Sequence, residues 1–155
     1  MKLHLEKRTL ILISILLFLL ILSLSVYFFA DNNLVRRVLF FPYGSSISGE
    51  IRRLPRQQTL EKDIELLIKE MILGPYKIDH LRIIPEKTRL QNLFLRDKSS
   101  LYIDFSADFI VTENEFIMVT SEMIDLISKN LRYNFPILEE ITLSVDGQTL
   151  QLGIK

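Results

Sequence analysis

Cysteine and tryptophan are both missing from this chain, histidine occurs only twice, and neither sign of charge is in excess. Each absence removes a class of function. Without cysteine there are no disulfides, no thiol nucleophile, no cysteine-bound zinc and no lipid-modified cysteine. The two histidines, His4 and His80, lie far apart in sequence, which leaves no histidine pair for a metal site and little material for a Ser/His/Asp triad. His80 stands alone in the polar stretch "YKIDHLR" and reads as a surface or loop histidine. Nineteen basic residues against nineteen acidic ones give a net charge of zero, so a polyanionic partner such as nucleic acid is not expected. The five glycines are scattered through turns at 44, 49, 74, 147 and 153, and none belongs to a phosphate-binding loop.

What the chain does have is a long apolar run. Thr9 to Ala30, "TLILISILLFLLILSLSVYFFA", contains no charge and as a helix would extend about 33 Å, enough to cross a hydrocarbon core. Lys2, Lys7 and Arg8 precede it and Asp31 follows, which places the amino terminus in the cytoplasm and the remainder outside. A cleaved secretory signal is the rival reading, with a cut after Ser25 conceivable. The length of the run and the bulky Tyr27, Phe28 and Phe29 at its exit favour an uncleaved anchor. The expected organisation is a cytoplasmic tail at 1–8, a transmembrane anchor at 9–30, a linker at 31–34 and an extracytoplasmic domain at 35–155, nearly neutral and long enough to bury its own core.

Within that domain, Val35 to Pro42, "VRRVLFFP", reads as a strand. "YGSSISGE" supplies turn chemistry, and Glu50 to Leu54 reads as a returning strand. Pairing of the two would bring Arg36, Arg37, Arg52, Arg53 and Arg56 near one another, as a candidate binding group for anionic lipid or an acidic partner, with an ordinary solvated face as the blander alternative. Thr59 can cap a helix in which Leu60, Ile64, Leu67, Ile68 and Met71 recur at helical spacing until Gly74-Pro75. A loop through "YKIDHLRIIPEKT" leads to a strand at Arg89–Arg96. The turn "DKSS" joins it to Leu101–Phe105, where Leu101, Ile103 and Phe105 point to one side and Tyr102 and Asp104 to the other.

Thr112 and Glu115 have capping-box spacing ahead of a second helix with Phe116, Val119, Met123, Ile127 and Leu131 on one stripe, ending near Arg132. "EITLSV" and the Asp146-Gly147 turn predict a last hairpin running to Leu152. The order ββ-α-ββ-α-ββ implies an α+β domain of two layers, a mixed or antiparallel sheet covered by two helices, preceded by one transmembrane helix.

The succession of "FFP", "LIKEMILGP", "IPEKTRL", "LYIDFSADF" and "ILEEITLSVDGQTL", from about Val35 to about Leu150, resembles the GerMN domain of sporulation and germination proteins and of several bacterial envelope proteins. The resemblance implies an extracytoplasmic α+β module, often tethered to the membrane, associated with envelope assembly, similar to ring-building modules that pack side by side, and without an established enzymatic activity. The chain departs from the family pattern in having one such domain rather than two, and Lys87 where the family often has glycine.

Paired carboxylates beside a hydroxyl are raw material for acid–base chemistry, and "YIDFSADF" offers Asp104, Ser106 and Asp108. Alternation makes Asp104 an outward strand residue, and Ser106 and Asp108 suit local turn bonding, so catalysis is not expected there. Glu113, Glu115, Glu139 and Glu140 read as helix-start or solvated charges rather than metal ligands. No enzyme, metal or cofactor is expected. The leading expectation is a single-pass membrane protein whose domain scaffolds envelope proteins or copies of itself. The alternative is an extracytoplasmic binding module for a cell-wall or lipid ligand.

Overall fold

The computed structural model describes residues 7–29, 33–110 and 120–150 and divides the chain into two units, Met1–Asn33 and Leu34–Lys155. The first unit holds helix α1, Lys7–Phe29, 23 residues long. Its apolar side chains are about half or more exposed on every side, from Leu10 at 52% through Leu16 at 69% to Leu24 at 48%. The side chains of α1 are described continuously only over Thr9–Ser25, and among the described residues no helix is long and apolar enough to cross a membrane. The membrane span expected over 9–30 therefore rests on the sequence.

The second unit begins with a ten-residue strand, β1 (Leu34–Tyr43), paired antiparallel with β2 (Ser46–Pro55). The turn chemistry seen in "YGSSISGE" is used only at Gly44 and Ser45, with Gly44 at φ 55, so β2 starts four residues before the expected Glu50. Burial alternates along both strands. Leu39 and Phe41 of β1 and Glu50, Arg52 and Leu54 of β2 point inward.

Helix α2 (Leu60–Leu73) follows. The Thr59 hydroxyl accepts from Lys62 N–H, and Gly74, at φ 88, ends the helix. Gly74 is required twice over, because a Cβ there would also collide with the Arg82 guanidinium, which donates to the Leu73 carbonyl at 2.7 Å. Ile64, Leu67, Ile68 and Met71 form the buried stripe the spacing predicts.

Strands β3 (Leu90–Arg96) and β4 (Ser100–Phe105) make a hairpin, and a 3-10 turn at Ala107–Phe109 leads away from it. Helix α3 (Thr120–Asn134) then carries the chain across to β5 (Glu140–Val145), which lies parallel to β4. Parallel neighbours need such a crossover. A turn at Asp146-Gly147, both at positive φ, adds the short β6 (Gln148–Thr149). The expected capping pair Thr112 and Glu115, the helix residues Phe116 and Val119, and the last strand beyond Leu150 lie outside the described residues. Helix α3 runs two residues past the expected Arg132, with Phe135 N–H bonding back to the Leu131 carbonyl before Pro136 stops it.

The α+β class holds, but the six strands do not make one sheet. β1 and β2 form a two-stranded sheet of their own beside the mixed sheet β3-β4-β5-β6. One core joins them: Leu39 and Phe41 from the hairpin, the α2 and α3 stripes, and Leu101, Ile103, Phe105, Leu143 and Val145 from the mixed sheet. Ile83 and Ile84, expected in a loop, are fully buried in it.

What replaces a strand along the outer side of β1 is a pair of asparagines. Val38 N–H donates to Asn134 Oδ1 at 3.0 Å, and Asn134 Nδ2 donates to the Val38 carbonyl at 2.6 Å. Phe40 N–H donates to Asn130 Oδ1 at 2.7 Å, and Asn130 Nδ2 returns a bond to the Phe40 carbonyl at 3.1 Å. Four residues of helix rise about 6 Å and two residues of strand about 6.7 Å, so the i,i+4 amides of α3 match the i,i+2 backbone groups of β1. Pro42, which has no N–H to satisfy, takes its one bond from Leu81 N–H at 2.9 Å.

Asn130 is fully buried. Asn130→Ala should strand the N–H and carbonyl of Phe40 and cost about 2–6 kcal/mol, at roughly 1–3 kcal/mol per unsatisfied group. Urea unfolding of the variant beside the parent chain measures it, and a loss under about 0.5 kcal/mol, the range of an ordinary surface change, would show that water or repacking satisfies the edge.

Candidate interaction surface

The five arginines of the first hairpin are separated by the strand's period of two. Arg36 faces Arg53 and Arg37 faces Arg52 across the β1–β2 ladder. Directly opposed residues share a side, so Arg37 and Arg52 go inward, while Arg36 and Arg53, with Arg56 just past the strand end, stay exposed.

Arg52 is 2% exposed. Its guanidinium pairs with Glu50 at 3.3 Å and Glu70 at 2.7 Å, donates to the carbonyls of Glu70 and Gly74, and lies 3.9 Å from the centre of the Tyr76 ring. A cation among the last carbonyls of α2 is well placed against the helix dipole. Arg37 donates to the Asn134 carbonyl at 2.8 Å, pairs with Asp63 at 3.6 Å and sits over the Phe135 ring at 4.3 Å. Both are ties inside the fold. The candidate binding group is thereby reduced to Arg36, Arg53 and Arg56.

Glu50 accepts from the N–H groups of Tyr76 and Lys77, both at 3.1 Å, as well as from Arg52. Burial pushes its carboxyl up, but these donors outweigh burial and hold it below the usual glutamate range. His80 joins this cluster. Expected at the surface, it is only 7% exposed, its Nδ1 3.0 Å from Asp79 and 3.9 Å from Glu50, with its ring 5.3 Å from that of Tyr43. The polar neighbours in "YKIDHLR" hid this, because Leu81 N–H ties the loop to Pro42 and folds His80 beneath the hairpin.

The carboxylates of "YIDFSADF" are not assembled into a pair. Asp104 accepts from Ser144 Oγ at 2.8 Å and from Gly147 N–H at 3.0 Å, fastening the β5–β6 turn. Burial raises its carboxyl, but these bonds, with one from Asn92, outweigh burial, for a net downward shift. The Ser106 hydroxyl donates to Asp108 at 3.0 Å and accepts from Arg89 N–H at 3.0 Å. Each group is occupied by local structure. Among the described residues no group of acidic or histidine side chains is placed to hold a metal.

Two surfaces remain open. A groove of about 510 Å³ lies between the hairpin tip and α3, floored by Pro42, Ile47, Leu81 and Leu126 with Glu122 and Asp125 among its walls. The second is the outer side of β2. Val38 and Phe40 turn their backbone groups toward α3, so their partners Gly49 and Ile51 turn theirs the opposite way. Among the described residues no strand pairs there. Ile47 and Ile51 on β2 are 50% and 57% exposed. Between them Gly49 leaves room for Val38, whose Cγ1 a Cβ would approach to 3.2 Å.

This order of strands and helices is one that other proteins share. Residues 25–151 match the Germane family model, described as sporulation and spore germination. The chain belongs to the Germane family. Among solved structures, the first GerMN domain of the sporulation protein GerM from Bacillus subtilis superposes with a TM-score of 0.54 at 18% identity, covering 75% of this chain and 86% of that one. The tandem GerMN domains of the same protein give a TM-score of 0.54 at 18% identity, covering 76% of this chain and 41% of the tandem. No curated protein matches the chain in sequence. At these identities the likeness establishes the fold, and the Germane chain's own side chains must carry the rest.

Two measurements check the division of the arginines and the state of Glu50. Arg52→Met leaves the Glu50 charge buried without its counter-ion and should cost about 3–5 kcal/mol. Arg53→Met on the outer side should stay within about 0.5 kcal/mol. Equal losses on urea unfolding would overturn the assignment of sides. Because the folded-state pKa of Glu50 is lowered, its contribution is present above the ordinary value of 4.5 and is lost as pH falls through the folded value. Melting temperature should therefore drop on acidification below about pH 4.5, and drop less steeply in Glu50→Gln. Parallel curves for the two proteins would assign the acid sensitivity elsewhere.

Proposed function

We propose that this Germane-family chain is a membrane-anchored, extracytoplasmic, non-enzymatic assembly protein, and that it binds envelope proteins or a second copy of itself along the open edge of β2. The observation that carries the reading is the contrast between the two sides of the hairpin. Asn130, Asn134 and Leu81 close β1, whereas β2 presents backbone without a partner strand among the described residues, flanked by exposed Ile47 and Ile51. Natural proteins usually guard such an edge, and an unguarded one accepts another strand. The engagement of Asp104, Ser106 and Asp108 in local bonds supports the non-enzymatic part.

Support for the anchor comes from the sequence: the uncharged run Thr9–Ala30, 22 residues, would extend about 33 Å as a helix, against a hydrocarbon core of about 30 Å. The basic residues before it favour an outward-facing domain. The family description as sporulation and spore germination makes that process the first setting in which to look for partners. The alternative, a module for a cell-wall or lipid ligand, draws on the groove by α3 and the three outward arginines.

Crosslinking and sedimentation of the full chain in membranes or detergent test the edge. The parent should give a concentration-dependent complex with itself or with a co-purifying envelope protein, and Ile51→Lys, a charge on the strand edge, should disperse it. A parent chain that stays alone at every concentration and crosslinks to nothing, or a complex indifferent to Ile51→Lys, would remove the β2 edge from the account.

A further inference from the structure

The outer face of the β1–β2 hairpin carries cations and no carboxylate. Arg36, Val38 and Phe40 from β1 and Ile47, Gly49, Ile51 and Arg53 from β2 make up its middle, with Leu34 and Pro55 at the open end. The single acidic residue of the two strands, Glu50, points inward. Arg36 and Arg53 sit directly opposite each other. Like charges held so cost stability on a strand pair, and among the described residues Arg36, Arg53 and Arg56 have no hydrogen bond or ion pair, in contrast to Arg37 and Arg52. This repulsion calls for an anion from outside the fold.

The position of the cations says which anion. They stand where the chain enters the domain: Leu34 pairs with Pro55, Arg36 is two residues in, and Arg56 follows Pro55. Only residues 30–33 separate the end of α1 at Phe29 from the start of β1 at Leu34. Even fully extended, that connection reaches about 17 Å. The opposite end of the hairpin carries no such excess of cations: Glu122 and Asp125 of α3 lie with Lys129 beside the tip at Gly44 to Ile47. We propose that Arg36, Arg53 and Arg56, with Leu34 and Pro55 beside them, dock the open end of the hairpin on the anionic lipid head groups of the membrane that holds α1. This rests on the anchor reading and deepens it: the domain is held against the bilayer surface by its arginines as well as by its tether. Each arginine near a charged bilayer contributes about fivefold to the docked population, so three act as a cooperative set.

The absence of native cysteine makes a single label unambiguous. The full chain, reconstituted in vesicles, carries a fluorophore at Gln58→Cys near the open end or, in a second sample, at Ser45→Cys at the tip, with a quencher on the lipid head groups. Vesicles rich in phosphatidylglycerol should quench the Gln58 label more strongly than phosphatidylcholine vesicles. The Ser45 label should respond to neither lipid. High salt, or the combined Arg36→Glu, Arg53→Glu and Arg56→Glu changes, should abolish the difference. An Arg36→Gln, Arg53→Gln, Arg56→Gln chain, kept as the milder variant and checked by an unfolding midpoint no lower than the parent's, should reduce it by tenfold or more in docked population. Quenching indifferent to lipid charge, quenching unchanged in the glutamine variant, or binding of these arginines to anionic wall polymer without any response to lipid charge, overturns the docking. An alkaline carbonate wash of the same vesicles reports on the anchor separately: retained protein with charge-independent quenching defeats the docking alone, and released protein defeats the anchor and the docking with it.

Discussion

The match between two asparagine amides and one strand edge joins the halves of this domain. β1 and β2 share no hydrogen-bonded ladder with the four-stranded sheet, so nothing in the strand pairing fixes the hairpin's position. Asn130 and Asn134 do so by presenting a peptide-like donor and acceptor twice, at a helical spacing that coincides with every second residue of β1. Arg37 and Arg52 extend the attachment to the two ends of α2, through Asp63 and through the carbonyls of Glu70 and Gly74. The apolar core fills the space these polar ties define. Its residues supply the burial; the ties supply the orientation.

Much of the local structure is legible because it is periodic or punctuated. Thr59, Gly74-Pro75 and Asp146-Gly147 mark boundaries by their own conformational preferences, and the α2 stripe and the alternation in β4 name their buried residues. What escapes is set by contacts distant in sequence. Ile83 and Ile84 lie in a segment without period or regular structure, and only the hairpin and helices around it bury them. The division into two sheets depends on which strand pairs with which, and six short strands in order do not specify that. The Ser46 start of β2 was hidden by turn-forming serine and glycine, of which Gly49 gives the space of a Cβ to Val38 on the facing strand.

The candidate site shows the same limit in sharper form. Five arginines close together in sequence look like one basic patch, yet a strand sends neighbours to opposite faces, and the pairing register then decides that Arg37 joins Arg52 and Arg36 joins Arg53. One signal for the sorting was present: Glu50 and Arg52 are two apart, on one face, and of opposite sign. Asn130 and Asn134 gave another, as two amides one helical turn apart beside an apolar stripe. The two aspartates of "YIDFSADF" illustrate the reverse case, in which nearness in sequence suggested a shared purpose and the fold gave each a separate one.

A hairpin with one side closed has a consequence for symmetry. If β2 of one copy adds antiparallel to β2 of another, the contact is the same patch used twice, related by a two-fold axis, and it is complete with two subunits. Extension of the sheet past the pair would need β1, and the asparagines and Leu81 occupy it. Strand addition through β2 alone would therefore end at two copies, and any larger assembly would have to grow through a different face, such as the β3 edge of the mixed sheet.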